Sequence, residues 1–319
     1  MKVLVTRDIP EQALEIVAKN AEMEVWREAR PIPRETLLER VVDKIGLLCM
    51  LTDRIDDAVL EQGKNLRVVS QMAVGYDNID VAACTRHGVP VGNTPGVLTE
   101  TTADTAFALL LATARRMCES EQFLRAGEWK MWDPMLLLGQ DVHHATIGII
   151  GMGRIGYEMA RRAYGFQMRI LYTGRRPNEE AEQHFEAERV DMATLLKASD
   201  FISIHTPLNP QTRHLFGAEQ FAQMKPTAML VNTARGAVVD QKALYTALKE
   251  GVIGGAGLDV FEQEPLPMDD PLLTLPNVVL VPHIGSASIA TRTRMAVLAA
   301  ENLVAGIQGK PLLHQVSPA

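Results

Sequence analysis

The sequence predicts an α/β protein of two units, each a parallel sheet covered by helices. Short apolar runs, typical of buried strands, alternate with amphipathic stretches from the first residue. This alternation breaks at a long apolar helix that begins near Thr99, and a second alternating series follows it. The chain has 319 residues, a length that suggests about two domains.

The first series runs from the start of the chain to Thr99. Buried strands are predicted at 3–5, 23–25, 45–50, 68–69 and 89–91. Helices are predicted between them at 10–19, 33–43, 56–61 and 79–87. Pro10 and Pro33 stand where two of these helices begin, a position that tolerates the missing N–H of proline.

The second series follows a predicted helix at 99–116, helix signals that continue to about Gly127, and an irregular loop at 129–140. Its strands are predicted at 146–150, 169–172, 200–205, 228–232, 254–258 and 278–281, and an Ala-rich helix at 286–308 closes the chain. We interpret the helix near Thr99 and the last helix as connections between domains. The sequence therefore predicts a discontinuous domain at 1–99 plus 286–319 and a second domain at 100–285.

The composition is that of an ordinary globular protein and excludes a disordered or fibrous chain, with 47% hydrophobic and 22% charged residues. The net charge is −7 and the charges are interspersed, so we expect neither a nucleic-acid nor a membrane partner. The first residues contain an apolar run too short for a secretory signal, and the most apolar stretch, 106–112, is far below the roughly 20 residues of a membrane span. Cys49, Cys84 and Cys118 are odd in number and lack metal-ligand spacing, so we expect a cytoplasmic protein with no disulfides and no metal site.

A glycine-rich turn joins a predicted strand, Thr146–Ile150, to a predicted helix. Gly151 permits the tight turn, Gly153 lets the backbone approach a pyrophosphate, and Gly156 lets the helix pack closely on the strand. Arg154 and Ile155 open the helix, whose N-terminal N–H groups attract phosphate. The alternative is a plain glycine turn, but the strand–turn–helix context favours a dinucleotide site.

The end of the next strand bears on the choice between NAD and NADP. An acidic residue there would bind the ribose 2′-OH, but none occurs between the strand at 169–172 and Glu179. Arg175 and Arg176 follow the strand instead, and two guanidinium groups can bind a 2′-phosphate. We therefore expect NADPH to be preferred, with NADH possible; alternatively, both arginines are ordinary solvated bases.

Three charged side chains follow three later strands. Arg235 follows the strand at 228–232, an acidic cluster that includes Glu262 and Glu264 follows the next, and His283 follows the third. In an open α/β sheet, ligands bind beyond the carboxyl ends of the strands. We expect all three segments to face one crevice.

The sequence resembles a known family over essentially its full length. The motifs that carry the resemblance are Val74-Gly-Tyr-Asp-Asn-Ile-Asp80, Gly151-Met-Gly-Arg-Ile-Gly156, Asn232-Thr-Ala-Arg-Gly236, Gly257-Leu-Asp-Val-Phe-Glu-Gln-Glu-Pro265 and Pro282-His-Ile-Gly-Ser286. The family is the D-isomer-specific 2-hydroxyacid dehydrogenases, and the similarity is greatest to glyoxylate/hydroxypyruvate reductases, which include 2-ketogluconate reductases. It implies two Rossmann- and flavodoxin-like domains with parallel sheets, an active site in the interdomain cleft, and a homodimer.

The resemblance implies that Arg235, Glu264 and His283 are the catalytic set; Glu264 is preferred to Glu262 because it precedes Pro265, as in the family motif. The residue types suit the reduction of a 2-oxo acid. A protonated His283 can donate the proton, Glu264 can orient and stabilise the charged imidazole, and Arg235 can hold the substrate. The remaining histidines, among them His143, His144, His205 and His214, are expected to be structural or on the surface.

Further site residues are expected, mostly from the resemblance. Those expected to line the cofactor are Thr102, Thr206, Pro207, Thr233, Ala234, Asp259 and Gly285. Thr52, Val74 and Gly75 are expected to contact substrate, with backbone N–H groups near Gly75 binding its carboxylate opposite Arg235; a simple glycine turn is the alternative. Trp132 is expected either to reach the substrate pocket of a partner subunit or to anchor the dimer interface alone.

The leading function is NAD(P)H-dependent reduction of glyoxylate to glycolate and of hydroxypyruvate to D-glycerate. One alternative is an NAD-dependent dehydrogenase acting on D-lactate, 2-ketogluconate, a phosphoglycerate or phosphite. The lack of an acidic residue between the strand at 169–172 and Glu179 argues against NAD. Another is a dinucleotide-sensing corepressor without turnover, which the presence of all three catalytic residue types argues against.

Overall fold

The computed structural model describes residues 1–317 and has two compact units. Unit 1 comprises Met1–Leu98 and the chain from Ala287 onward, and unit 2 comprises Thr99–Ser286. These boundaries differ by one residue from those expected from the sequence. Each unit contains a parallel sheet with helices, so the predicted α/β class is confirmed.

Unit 1 is built on a five-stranded parallel sheet with the order β2-β1-β3-β4-β5. Its strands are β1 (Lys2–Val5), β2 (Glu22–Val25), β3 (Gly46–Cys49), β4 (Val68–Gln71) and β5 (Val91–Gly92). This is the flavodoxin-like strand order. Strands β3 and β4 are buried along their whole length; β3 is an uninterrupted run without polar residues, whereas β4 ends in the buried polar residues Ser70 and Gln71.

Five helices cover this sheet: α1 (Glu11–Ala18), α2 (Arg34–Arg40), α3 (Asp57–Gln62), α4 (Val81–Arg86) and the closing helix α12 (Ile289–Ile307). Helix α12 packs against α1, β3 and β4, which makes unit 1 discontinuous in sequence. Ser288 begins α12 by accepting a hydrogen bond from the N–H of Thr291 at 3.1 Å. The helix therefore starts later than residue 286, where the sequence predicted it.

Unit 2 is built on a seven-stranded parallel sheet with the order β12-β11-β10-β9-β6-β7-β8. Its strands are β6 (Thr146–Ile150), β7 (Arg169–Thr173), β8 (Glu188–Arg189), β9 (Phe201–Ile204), β10 (Met229–Asn232), β11 (Gly255–Leu258) and β12 (Val278–Leu280). The order is that of a Rossmann sheet extended by one strand. It reverses between β6 and β9, so the loops that follow these two strands flank the switch point, where such sheets bind ligands.

The helices of unit 2 are α5 (Thr99–Ala114), α6 (Met117–Arg125), α7 (Arg154–Gly165), α8 (Glu179–Phe185), α9 (Met192–Ala198), α10 (Ala218–Phe221) and α11 (Gln241–Lys249). They cover both faces of the sheet, because alternate residues of β7 belong to different apolar cores. Ile170 and Tyr172 pack with α5 and α7 on one face, and Leu171 packs with α9 and α11 on the other.

Some elements differ from those predicted. The helical signals from 99 to 127 form two helices, because Arg116 adopts a left-handed conformation (φ +52°) between α5 and α6. Strand β8 has only two exposed residues and carries no apolar pattern by which it could be predicted. No helix within residues 1–317 is long and apolar enough to cross a membrane.

Candidate active site

The glycine-rich turn after β6 has the shape that a dinucleotide requires. Gly151 has a φ of +96°, and a Cβ there would lie 2.8 Å from the carbonyl oxygen of His205. A Cβ at Gly156 would lie 2.1 Å from the carbonyl oxygen of Gly151, so only glycine allows α7 to start this close to the strand. A Cβ at Gly153 would meet nothing within 4 Å, so this side of the turn is open to a phosphate. These residues fit a dinucleotide.

Residues of the neighbouring strand ends lie beside this turn. The N–H of Thr206 would be 3.2 Å from a Cβ on Gly151, which brings the predicted cofactor residues Thr206 and Pro207 next to the turn. After β10, the side chain of Asn232 accepts the N–H of Ala234 (3.0 Å) and donates to the carbonyl oxygen of Arg235 (2.9 Å). The buried Oγ1 of Thr233 has no hydrogen-bond partner within residues 1–317, which suits a residue that awaits a polar ligand.

The loop that carries Arg175 and Arg176 is held against the glycine-rich turn. Asn178 donates from Nδ2 to the carbonyl oxygen of Met152 (3.0 Å) and accepts the N–H of Ala181 (2.9 Å), which begins α8. Arg189 donates to the carbonyl oxygen of Gly174 (3.0 Å). Arg175 and Arg176 themselves are exposed, and within the described chain neither is recorded in a hydrogen bond or an ion pair. Both guanidinium groups are thus available to an anion.

His283 and Glu264 form a close pair at the carboxyl edge of the sheet. His283 Nδ1 lies 2.7 Å from Glu264 Oε2, and both side chains are about one-third exposed. The other carboxylate oxygen of Glu264 accepts the N–H of Phe261 at 3.0 Å. The pairing through Nδ1 leaves Nε2 as the ring nitrogen that can donate to a substrate.

The environment of Glu264 favours its ionised form. Burial acts to raise the pKa of this carboxyl group, but the hydrogen bond and the positive charge of His283 act against it. The N–H of Phe261 and the charge of Arg235 act in the same direction as His283, and the pKa of Glu264 lies below its ordinary value. The guanidinium charge of Arg235 thus acts on the carboxylate of Glu264.

Gly236 brings the arginine loop to the acidic loop. A Cβ at Gly236 would lie 1.8 Å from the carbonyl carbon of Phe261 and 2.4 Å from the nitrogen of Glu262. Arg235, immediately before it, donates from Nη1 to the carbonyl oxygen of Ala234 at 2.8 Å. The backbone after β10 therefore touches the backbone after β11 at a point where no side chain fits.

Asp259, Gly285 and Thr102 meet beside this pair. The buried Asp259 carboxylate accepts the N–H groups of Ile284 (2.5 Å) and Gly285 (2.7 Å). Burial raises the pKa of Asp259 above its ordinary value, although these hydrogen bonds and the charge of His283 act against the shift. A Cβ on Gly285 would lie 2.9 Å from Asp259 Oδ2 and 3.4 Å from Thr102 Cγ2, so three residues expected to line the cofactor are neighbours.

The predicted substrate residues of unit 1 lie in loops that follow its strands. Thr52 is exposed in the loop after β3, and Val74 and Gly75 are partly exposed in the loop after β4. Trp132 lies in the irregular loop between α6 and β6 and has a relative exposure of 78%. Met131 and Met135 in the same loop are also more than 70% exposed.

Of the other histidines, His205 and His214 make contacts that the sequence does not reveal. His205 directly follows β9, with Nε2 2.8 Å from Ser203 Oγ, and burial lowers its pKa to about 3. His214 Nε2 pairs with Glu262 Oε1 at 2.6 Å. Gly236, Asn178 and Asn232 are further residues that sequence reasoning missed; of these, Gly236 and Asn232 stand in a quoted motif, and the N-cap position of Asn178 was a usable signal.

Comparison with known proteins agrees with this geometry. The family model described as "D-isomer specific 2-hydroxyacid dehydrogenase, NAD binding domain" matches residues 107–285, more than half of the chain. The chain belongs to this family. The predicted resemblance is thereby confirmed, and unit 2 contains a domain for a nicotinamide dinucleotide.

The family's curated members include similar reductases. A glyoxylate reductase of Korarchaeum cryptofilum is 56% identical over 310 residues, which cover 97% of this chain and 93% of that protein. A glyoxylate reductase of Pyrococcus furiosus is 52% identical over 313 residues, which cover 97% and 93% of the two chains.

Solved structures show the same architecture. The TT0316 protein from Thermus thermophilus has a TM-score of 0.94 at 46% identity and covers 99% of this chain and 100% of its own. An NADPH-dependent glyoxylate/hydroxypyruvate reductase from Sinorhizobium meliloti, solved with NADP and malonate, has a TM-score of 0.85 at 33% identity and covers 99% and 96% of the two chains.

Proposed function

We propose that this chain reduces small 2-oxo acids to 2-hydroxy acids, with glyoxylate and hydroxypyruvate as substrates and a nicotinamide dinucleotide as the reductant. The observation that carries the proposal is the 2.7 Å pair of His283 and Glu264, with Arg235 close enough to lower the pKa of Glu264. The pair lies beyond the carboxyl ends of the same sheet that holds the glycine-rich turn. The glyoxylate reductases at 50–56% identity support the substrate class.

His283 acts as the proton donor. Reduction of a ketone or aldehyde leaves an oxyanion, which needs a proton at the oxygen. A protonated His283 donates this proton from Nε2 while Nδ1 stays bonded to Glu264. The carboxylate stabilises the imidazolium before transfer and fixes the plane of the ring.

Arg235 binds the substrate through its guanidinium group. Its planar set of N–H donors matches a carboxylate and the adjacent carbonyl oxygen, and its charge stabilises the negative charge that develops on that oxygen. The residues proposed to hold the cofactor are those of the glycine-rich turn, with Thr102, Thr206, Pro207, Thr233, Ala234, Asp259 and Gly285. When bound, the reduced nicotinamide supplies the hydride.

NADPH is the proposed preferred cofactor. Two exposed guanidinium groups, those of Arg175 and Arg176, lie on a loop that is hydrogen-bonded to the glycine-rich turn through Asn178. Charge-assisted hydrogen bonds from these groups would favour a 2′-phosphate over a 2′-hydroxyl. The NADPH dependence of the Sinorhizobium meliloti reductase supports this choice.

A homodimer is the proposed assembly. The loop between α6 and β6 exposes Trp129, Met131, Trp132, Met135 and Leu138, each at 55% or more. Exposed aromatic and methionine side chains of this density favour a protein–protein contact. We propose that a second copy covers the loop and that Trp132 lines the substrate pocket of that copy.

Cys49, Cys84 and Cys118 are unpaired, which supports a reducing compartment such as the cytoplasm.

A panel of 2-oxo acids, assayed with NADPH and with NADH, tests the proposal. We expect oxidation of NADPH with glyoxylate and hydroxypyruvate, and less activity with pyruvate, the 2-oxo acid that gives D-lactate, or with phosphorylated 2-oxo acids. Binding of the dinucleotide without turnover of any 2-oxo acid would contradict the proposal and favour a sensing role. Higher kcat/KM with NADH would contradict the cofactor preference alone.

A further inference from the structure

In unit 1, the loop after β4 has its carbonyl groups tied to the body of the unit. Here the segment Val74–Tyr76 is called the amide loop. Asn93, which follows β5, donates from Nδ2 to the carbonyl oxygen of Val74 at 2.8 Å. Gln71, the last residue of β4, donates from Nε2 to the carbonyl oxygen of Gly75 at 3.2 Å. Two consecutive carbonyls are therefore held by two buried side-chain amides.

The preceding carbonyl, that of Ala73, is held by a backbone group. The N–H of Thr94 donates to the carbonyl oxygen of Ala73 at 2.9 Å. In a planar trans peptide, the N–H points away from the carbonyl of the same peptide unit. The N–H groups of Val74, Gly75 and Tyr76 are thus directed away from the groups that hold the carbonyls. Within residues 1–317, none of these three N–H groups is recorded with an acceptor.

A second layer fixes the amide of Gln71. Its Oε1 lies 3.1 Å from Cys49 Sγ, and its Nε2 also donates to Asn78 Oδ1 at 2.7 Å. Burial keeps the pKa of the Cys49 thiol well above its ordinary value, so the thiol keeps its proton and its S–H donates a hydrogen bond to Oε1. Asn78 in turn donates to the carbonyl oxygens of Met50 (3.1 Å) and Asp53 (2.8 Å). The orientation of the Gln71 amide is therefore set from both sides.

We propose that Gln71 and Asn93 are positioning residues for the carboxylate of the substrate. By holding the carbonyls of Val74 and Gly75, they direct the N–H groups of Gly75 and Tyr76 outward, next to the N–H of Val74, and successive N–H groups of this kind form an anion-binding concavity. A carboxylate accepts such hydrogen bonds with both oxygens. The inference rests on the proposed function, because the anion it names is the carboxylate of a 2-oxo acid.

The test uses two variants in the full-length protein. Asn93→Ala removes the donor to Val74, and Gln71→Met keeps the length of the side chain but removes the donor to Gly75. We expect each to raise the KM for glyoxylate by about 10- to 100-fold, as for the loss of a hydrogen bond to a charged group, with kcat lowered less than about threefold. The Kd of the enzyme–NADPH complex for oxamate, a carboxylate that resembles the substrate, rises by the same factor. The Kd for NADPH stays unchanged.

Ser70→Ala is the matched control. Ser70 precedes Gln71 on β4, is fully buried, and donates to the carbonyl oxygen of Ala299 at 2.7 Å, away from the amide loop. We expect it to lower stability as the two variants do but to leave the KM for glyoxylate and the Kd for oxamate unchanged. An equal rise in KM for Ser70→Ala would mean a general loosening of unit 1 and would overturn the inference.

Failure of the inference would be seen in the variants, whereas failure of the proposed function would be seen in the wild type. A wild type that reduces glyoxylate, together with variants that keep its KM within about twofold, overturns the role of Gln71 and Asn93 alone. A wild type that reduces no 2-oxo acid overturns the proposed function, and the inference with it. Because Gln71 ends β4 and Asn93 lies in the segment after β5, the two substitutions affect different parts of unit 1, and either variant decides if the other does not fold.

Discussion

The backbone N–H of His283 donates to the carbonyl oxygen of Asp259 at 2.9 Å, and the Asp259 carboxylate binds the next two N–H groups of the chain. His283 has a φ of +53°, a left-handed conformation that costs a non-glycine residue roughly 1–2 kcal/mol. Three hydrogen bonds to one residue thus stabilise the strained turn that directs the imidazole towards Glu264. Strain of this kind is frequent at functional sites.

The first prediction concerns this turn. Asp259→Asn replaces one acceptor oxygen by an NH2 group that faces an N–H donor, so the turn at His283 relaxes. We expect kcat for glyoxylate to fall at least about tenfold and the free energy of unfolding to fall by about 1–3 kcal/mol. Steady-state kinetics and denaturant titration measure the two effects.

Asp240→Asn is the control for Asp259→Asn. Asp240 begins α11 by accepting the N–H of Ala243 at 2.9 Å, and asparagine serves as well in that position. The same change of charge there should leave kcat unaltered. Equal kcat values for the wild type and Asp259→Asn would show that the turn at His283 does not depend on the carboxylate.

The second prediction concerns the proton donor. His283→Ala should lower kcat by about 10²–10⁴-fold, the usual contribution of general acid catalysis, and leave the Kd for NADPH within about twofold. His214→Ala provides a matched control, because His214 also pairs with a glutamate, Glu262, at 2.6 Å. Near-wild-type turnover by His283→Ala, or an equal loss in His214→Ala, would contradict the assignment.

The third prediction concerns the cofactor. The double variant Arg175→Ala with Arg176→Ala loses the two guanidinium groups proposed to bind the 2′-phosphate. We expect KM for NADPH to rise by about 10- to 100-fold and KM for NADH to change by less than about threefold. Arg169→Ala is the control, because Arg169 lies at the opposite end of β7 and pairs with Glu188 at 2.8 Å. A parallel rise in KM for both cofactors would argue against a 2′-phosphate site.

The features that can be predicted from the sequence are local in the chain. The glycine-rich turn and the strand before it are neighbours in sequence, and their spacing alone determines that a phosphate can approach. The same is true of buried strands such as β3 and β6, whose apolar residues are close neighbours in the chain. The strand ends that carry Arg235 and His283 are predictable for the same reason.

The contacts that complete the candidate site are not local. Gly236 touches the backbone of Phe261 only because β10 and β11 pair with Asn232 opposite Leu258, a register that no periodicity reveals. Asn93 holds the carbonyl of Val74 from the segment that follows the neighbouring strand β5, 19 residues away. Such contacts depend on how strands pair in the folded sheet, so the sequence shows the residues without showing their partners.

The last prediction concerns the pH dependence of stability. Burial lowers the pKa of His205 from 6.5 to about 3, so the folded protein keeps this imidazole neutral over a range in which the unfolded chain protonates it. Between these two values the unfolded state binds about one proton more, and the free energy of unfolding therefore falls as the pH falls. The slope from this group is about 1.4 kcal/mol per pH unit, present below 6.5 and exhausted near 3.

His205→Asn removes this group and keeps a side chain that can bond to Ser203, whose Oγ lies 2.8 Å from the imidazole. Other groups titrate in the same range, so the informative quantity is the difference between the two proteins. We expect the variant to be less stable near neutral pH, because it leaves a smaller side chain beside the glycine-rich turn. The difference in the free energy of unfolding between the wild type and the variant should decrease by roughly 2–3 kcal/mol as the pH falls from about 6.5 to about 4.5. Urea titrations of both proteins at several pH values measure this difference, and parallel curves would mean that the imidazole of His205 takes up its proton as readily in the folded as in the unfolded protein.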